Sequence, residues 1–202
     1  MKLYYSPAAC SLSPHIALRE AGLTFSLEKV DLKTHRTASD ADFTRINPKG
    51  YVPALQFDDG TLLTEGAAIV QWVADEVPEK HLAPAPGTME RYRLIEWLNY
   101  IGTELHQSMV GLFVSDLPEA TRSALVARIG RRLDYVEQQL TGKTWLMGDR
   151  FTVADAYLFT VLNWAPWLKL DIAKWTTIGA YLGRVAARPC VQDALKAEGL
   201  VK

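Results

Sequence analysis

At 202 residues the chain is long enough for one large domain or two modest ones, and 49% hydrophobic with 22% charged residues is ordinary globular composition. Lys plus Arg (22) balance Asp plus Glu (23) to a net charge of −1, which leaves no positive field to draw nucleic acid or an anionic membrane surface. Pro7 arrives too early for a secretory signal, no apolar run approaches about 18 residues, and two cysteines, Cys10 and Cys190, suit neither a disulfide framework nor a structural zinc site. The expectation is a cytoplasmic chain without a metal.

In chain order, Lys2 to Tyr5 reads as a strand, Ser6 to Ala9 as a loop and Ser11 to Ala21 as a helix, with Ser11 or Ser13 to cap it, Pro14 in its first turn and Gly22 to end it. Cys10 falls at the junction of loop and helix. A second strand runs from Phe25 towards Leu32, and the polar Lys33 to Asp40 reads as a surface loop. A helical turn around Asp42 to Ile46 precedes the turn cluster Asn47-Pro48-Lys49-Gly50. Ala54 to Phe57 and Thr61 to Leu63 then form a hairpin around Asp58-Asp59-Gly60, and Thr64-Glu65-Gly66 opens a helix to about Val77. The order βαβ then ββα closes into one mixed sheet covered by helices. Pro78 and Ala83-Pro84-Ala85-Pro86-Gly87 mark a linker, so the chain divides into 1–80, a linker at 81–86 and an all-helical domain over 87–202. There Tyr92, Ile95, Leu98, Ile101 and Leu105 recur at helical spacing, and further helices are predicted over 119–141, 153–169, 175–187 and 190–197.

Among residues able to carry chemistry, Cys10 stands first, because amides at a helix start favour the thiolate, which is the nucleophile. Ser13 occupies the place where a dithiol motif has its second cysteine, so Cys10 can form a mixed disulfide but not resolve it internally. Against this stands the plain alternative of a small buried residue at a turn. Val52-Pro53 is a candidate cis bond whose neighbouring main chain can pair with a peptide-like ligand; the ordinary alternative is a proline at a strand start. Glu65-Gly66 offers a carboxylate and free amides at a helix start. Counting about 100° per residue from Asn99 puts Thr103 near about 40° and His106 near about −20°, on one polar face, while Glu104 falls near about 140° and points elsewhere. A lone helical histidine is more often structural than catalytic. Thr152-Val153-Ala154-Asp155 reads as a capping box and Arg131-Arg132 as a solvated face. Trp164, Trp167 and Phe113 are core, contact or apolar pocket residues.

The cysteine before the first helix, Asn47-Pro48-Lys49-Gly50-Tyr51-Val52-Pro53, Thr64-Glu65-Gly66, Ile95 to Tyr100, Phe151 to Tyr157 and Ala197 to Leu200, in this order, resemble the bacterial beta-class glutathione transferases over essentially the whole chain. The resemblance implies a thioredoxin-like N-terminal domain, an all-helical C-terminal domain, and a homodimer that takes glutathione as cosubstrate in a cleft beside the interdomain surface. It also implies roles by position. Cys10 would contact the glutathione sulfur and form a mixed disulfide with it, the Val52 main chain would pair with the cysteinyl part, and Glu65 and Gly66 would hold the γ-glutamyl end. Asn99, Thr103, Glu104 and His106 would complete the site, one or more of them reaching the glutathione of the other subunit, with His106 beside Cys10 as a catalytic candidate.

Three positions depart from that pattern. His35 stands where a lysine usually meets the glycyl carboxylate, which makes that cation weaker and pH-dependent. Gly66 replaces a frequent serine, and Gln107 replaces a frequent lysine. The implied reaction joins or exchanges the glutathione thiol with a small electrophilic or disulfide substrate. Two alternatives stand beside it: a glutathione-dependent isomerase using Ser11 or Ser13, and a non-catalytic protein binding glutathione or apolar ligands on the same scaffold.

Overall fold

A computed structural model of the chain describes residues 1–201. It divides into two compact units: Met1–Ala83 together with the segment from Ala187 onward, and Pro84–Ala186.

The first unit is built on β1 (Lys2–Tyr5), α1 (Leu12–Ala21), β2 (Ser26–Asp31), β3 (Arg36–Thr37), α2 (Phe43–Ile46), β4 (Ala54–Gln56), β5 (Leu62–Thr64) and α3 (Gly66–Glu76). The sheet order is β3-β2-β1-β4-β5, with β1 parallel to β2 and the other pairs antiparallel. This is the thioredoxin-like arrangement. Its register stacks Leu3 on Leu27 and Leu55, and Leu55 on Leu63. Leu3 and Leu55 are fully buried, each contributing about 2 kcal/mol by leaving water. On the other side of β1, Tyr4 packs with Val30, Phe43, Val52 and Ala54, so the segment before Pro53 is anchored in the core. Helix α1 starts with Pro14 in its first turn and stops at Gly22, whose φ of 72° lets its N–H return to the Arg19 carbonyl.

The second unit holds α4 (Met89–Tyr100), α5 (Gln107–Val110), α6 (Glu119–Leu140), α7 (Val153–Leu162) and α8 (Thr176–Ala186). Thr88 caps α4 by accepting from the Arg91 N–H. Every residue of α7 is buried. Its start is closed by Asp155, which accepts from the Thr152 N–H at 2.8 Å, the Thr152 hydroxyl at 3.0 Å, the Leu146 N–H at 2.8 Å and the Tyr181 hydroxyl at 3.1 Å. The capping reading of Thr152 and Asp155 therefore describes the observed contacts.

The structure departs from the sequence reading in four places. Within the expected loop 33–40 lies β3, which pairs Thr37 with Val30 and Arg36 with Asp31; two polar residues at a sheet edge carry no alternation to read. The helix expected to run through Leu105 changes to a π-helical turn over Ile101–His106. The helix expected over 153–169 ends at Leu162. Finally α9 (Pro189–Ala197) packs on α1 and belongs to the first unit, so 87–202 is not one compact body. Long-range contacts fix that placement: Arg188 donates to both oxygens of Glu20 at 2.6 and 2.8 Å, and the Cys190 thiol donates to the Arg19 carbonyl at 3.6 Å.

Candidate functional site

The first unit gathers several of the expected residues at the ends of its strands. Cys10 is half-buried in the turn that enters α1, and its thiol donates to the Val52 carbonyl at 3.3 Å. The following Val52–Pro53 peptide bond is cis. Ser11 does not cap the helix; its hydroxyl accepts from the Ser6 N–H and donates to the Ser6 carbonyl, both at 3.2 Å, which closes the loop on itself. Burial pushes the Cys10 thiol up to about 11, although the amides of Cys10 and Ser11 pull the other way and the charge of Glu65 adds to the rise. The expectation of a thiolate at this helix start is thus corrected: desolvation outweighs the two amides, and Cys10 is a neutral thiol at pH 7.

The same loop is tied down by the last part of the chain. The Ala8 N–H donates to Glu198 Oε2 at 2.9 Å, and Glu198 Oε1 lies 2.8 Å from His15 Nδ1. Arg19 Nε donates to His15 Nε2 at 2.9 Å. Arginine is always a donor, so His15 carries its proton on Nδ1 and donates it to Glu198. The sequence reading passed over His15 and Glu198, because a pairing between residues 183 positions apart leaves no local signature.

At the other end of the cluster Glu65 joins β5 to α3 with φ of 70°, and its carbonyl accepts the first helical N–H groups, from Ala68 and Ile69. Its exposed carboxylate accepts from the Lys49 ammonium and, at 3.0 Å, from the Tyr51 hydroxyl. The Lys49 hydrogen bond holds Glu65 below the usual carboxylate range. His35, with φ of 54°, lies against the Asn47 to Gly50 turn, where a Cβ on Gly50 would meet its Cε1 at 3.2 Å. Its Nδ1 is buried and has no hydrogen-bond partner among the described residues.

In the second unit Asn99 and Thr103 are exposed, and their side chains donate to their own helix, to the Ile95 and Asn99 carbonyls at 2.8 and 2.9 Å. Glu104 is held by α6: Arg132 Nε donates to it at 2.7 Å and Arg128 at 3.3 Å, which lowers its pKa. The reading of Arg132 as a solvated side chain is corrected by that pair, while Arg131 is exposed. His106 Nδ1 lies 2.7 Å from the Tyr157 hydroxyl, and its ring stands edge-on to Trp164 at 4.9 Å. Burial pushes His106 down to about 4, so the ring is neutral at pH 7. Trp164 is buried, whereas Phe113 and Trp167 are exposed and line a cavity of about 360 Å³ with Leu112, Val114 and Leu168. A further cavity of about 510 Å³, lined by Trp97, Tyr100, Tyr135 and Met147, shares no residue with the expected site. Among the described residues no group of three or more His, Cys, Asp or Glu is placed to hold a metal ion, and no helix is long and apolar enough to cross a membrane.

Comparison with known proteins fits this geometry to a family. The pattern for the glutathione S-transferase N-terminal domain matches residues 8–76, and that for the glutathione S-transferase C-terminal domain matches residues 101–189. Glutathione S-transferase GstA of Escherichia coli O157:H7 is 52% identical over 200 residues, covering 99% of this chain and all of the relative. The chain belongs to the glutathione S-transferase family. Two solved structures agree. A sphingomonad glutathione S-transferase complexed with glutathione is 44% identical with TM-score 0.95, and the bacterial beta-class glutathione S-transferase of Sphingomonas chungbukensis is 46% identical with TM-score 0.95, each over the full length of both chains. The chain is accordingly a transferase of the beta-class type, and that reading prevails over a non-catalytic binder or an isomerase.

Within this glutathione S-transferase, Cys10 and Val52 meet directly, and Glu65 and Gly66 follow one another at the start of α3. Asn99, Thr103, Glu104 and His106 share one stretch of chain that spans the end of α4 and the π-helical turn. Sequence reasoning missed Tyr157 as the partner of His106, although it lies two residues past the Asp155 of the recognised capping box.

Proposed function

We propose that this chain binds glutathione as its cosubstrate and joins or exchanges the glutathione thiol with a small electrophilic or disulfide substrate in the cytoplasm, as a homodimer. The observation that carries the reading is the Cys10 thiol set 3.3 Å from the Val52 carbonyl at the entrance to α1. A thiol and a main-chain acceptor side by side suit the sulfur and the peptide portion of a small thiol peptide. In this assignment Cys10 contacts the glutathione sulfur, the Val52 main chain pairs with the cysteinyl part, and Glu65 with the Gly66 amide holds the γ-glutamyl end. His35, whose Nδ1 lacks a partner among the described residues, takes the glycyl carboxylate when protonated. Asn99, Thr103, Glu104 and His106 supply further glutathione contacts, one or more of them to the glutathione of the other subunit. The cavity lined by Phe113 and Trp167 also carries Ser115, Arg122 and Lys169, so a second substrate bound there would meet aromatic faces beside cationic side chains.

Two supports for this assignment differ in kind. The glutathione complex of the sphingomonad relative speaks for the ligand, and the contacts of Cys10 and Glu65 speak for the residues. A step through Cys10 balances as ordinary thiol–disulfide exchange: its thiolate attacks oxidised glutathione, a sulfur–sulfur bond to Cys10 forms, and one glutathione thiolate leaves and takes up a proton. Calorimetry with glutathione, paired with product formation from an activated aryl halide, tests the reading. The expected result is saturable binding and turnover in the parent chain, with binding weakened at least roughly tenfold in Glu65→Ala, the loss of one charged contact. A folded parent chain that neither binds glutathione nor forms product overturns the reading.

A further inference from the structure

The segment that carries His106 is the one irregular stretch in the expected long helix. From Ile101 to His106 the chain winds as a π-helical turn before α5 begins, and such turns frequently accompany functional sites. His106 ends that turn with its ring perpendicular to Tyr157, at 88° with centroids 5.8 Å apart, and with Nδ1 2.7 Å from the Tyr157 hydroxyl. Gly102 lies beside this hydroxyl, where a Cβ would make an ordinary contact at 3.5 Å. Tyr157 itself is fixed: it is 7% exposed and belongs to α7, whose start Asp155 closes with its hydrogen bonds. A rigid hydroxyl therefore meets an imidazole mounted on a non-standard turn.

A neutral imidazole has one N–H, so the bond made by one ring nitrogen decides what the other offers. His106 is neutral at pH 7 because burial disfavours its cation. Between a phenol and a neutral imidazole, the phenol is the better proton donor and the ring nitrogen the better acceptor. The favourable pairing has the Tyr157 O–H donating to Nδ1, which leaves the ring proton on Nε2. We propose that Tyr157 is a positioning residue that locks His106 in the Nε2–H form and so presents it to the glutathione sulfur as a hydrogen-bond donor, not as a base. The sulfur-facing part of this statement rests on the function proposed above; the tautomer does not. A donor favours the thiolate by bonding to it, while the proton released from the glutathione thiol passes to water.

Nitrogen-15 NMR of histidine-labelled full-length protein at pH 7 tests the proposal, with His106 assigned by the signals missing from His106→Asn. In the parent chain the expected spectrum shows Nδ1 unprotonated and hydrogen-bonded, with the proton on Nε2. A proton on Nδ1, or the tautomer mixture of a free imidazole, overturns the proposal without any variant. In Tyr157→Phe, which keeps the ring and removes the hydroxyl, the locked form should relax to a mixture and kcat fall roughly fivefold, the worth of one hydrogen bond, with KM for the second substrate unchanged. A locked Nε2–H form in Tyr157→Phe overturns the role of Tyr157. Relaxation of the tautomer in Tyr157→Phe without any change in turnover overturns the sulfur-facing part alone, and leaves glutathione binding to be judged by calorimetry.

Discussion

The Cys10 turn in the first unit and the His106 turn in the second solve one electrostatic problem in opposite directions. Burial raises the thiol of Cys10 to about 11 and lowers the imidazole of His106 to about 4, so both groups are neutral between those limits. Their surroundings differ. Cys10 has two amides that favour its anion and a carboxylate, Glu65, that opposes it, whereas at His106 burial lowers the pKa, with no charged group among the described residues as a further cause. A helix start is therefore no guarantee of a thiolate; a few amides must overcome the burial that comes with the position. The consequence for chemistry is that neither group offers a ready charge at pH 7.

The supports of the two turns also differ, and removing them gives the largest expected effects. In the second unit Asp155 serves four donors, two main-chain and two hydroxyl. Asp155→Ala should destabilise the chain by about 4 kcal/mol, given about 1–3 kcal/mol for each buried donor left unpaired, read from the midpoint of denaturant unfolding. In the first unit Glu198 serves the Ala8 N–H and His15. Glu198→Ala should cost about 2 kcal/mol by the same rule, and it should also hasten alkylation of Cys10, two residues from Ala8. Equal alkylation rates in the two chains would separate the Glu198 support from the Cys10 turn.

Titration gives the finer contrast. Cys10 holds its proton more tightly in the folded chain than at its ordinary value of 9.0, so its contribution to stability is complete below pH 9 and is lost as the pH climbs towards about 11. His106 lies below its ordinary 6.5, so its contribution is complete above that value and is lost as the pH falls towards about 4. Alkylation of Cys10, followed by peptide mapping, should accelerate steadily up to about pH 11; a plateau below pH 8 would restore the thiolate. His106 ring shifts should stay constant from pH 8 down to about pH 5, and a midpoint near 6.5 would show a solvated ring.

Much of this was legible in the sequence because it is local. Lys2 to Tyr5, the Gly22 stop, the Asp58-Asp59-Gly60 hairpin and the capping role of Asp155 each follow from a few adjacent residues. The position of Cys10 at the loop-to-helix junction followed in the same way, but its ionisation did not, since it depends on burial in the fold and on the charge of Glu65, 55 positions along the chain. The helical-wheel placement of Asn99, Thr103 and His106 assumed a constant turn, and the π-helical turn at Ile101–His106 breaks that assumption. Arg132 looked solvated because its partner Glu104 lies 28 positions away. The return of α9 to α1 escaped for the same reason: the bonds Arg188–Glu20 and Glu198–His15 join the two ends of the chain.

Peptide mapping by mass spectrometry after incubation with oxidised glutathione, at pH 7 and again at pH 9, tests the central assignment of Cys10 most directly. The account predicts a glutathione adduct on Cys10 that forms faster at the higher pH and is absent in Cys10→Ala. Selective modification of Cys190, with Cys10 left free at both pH values, would contradict it.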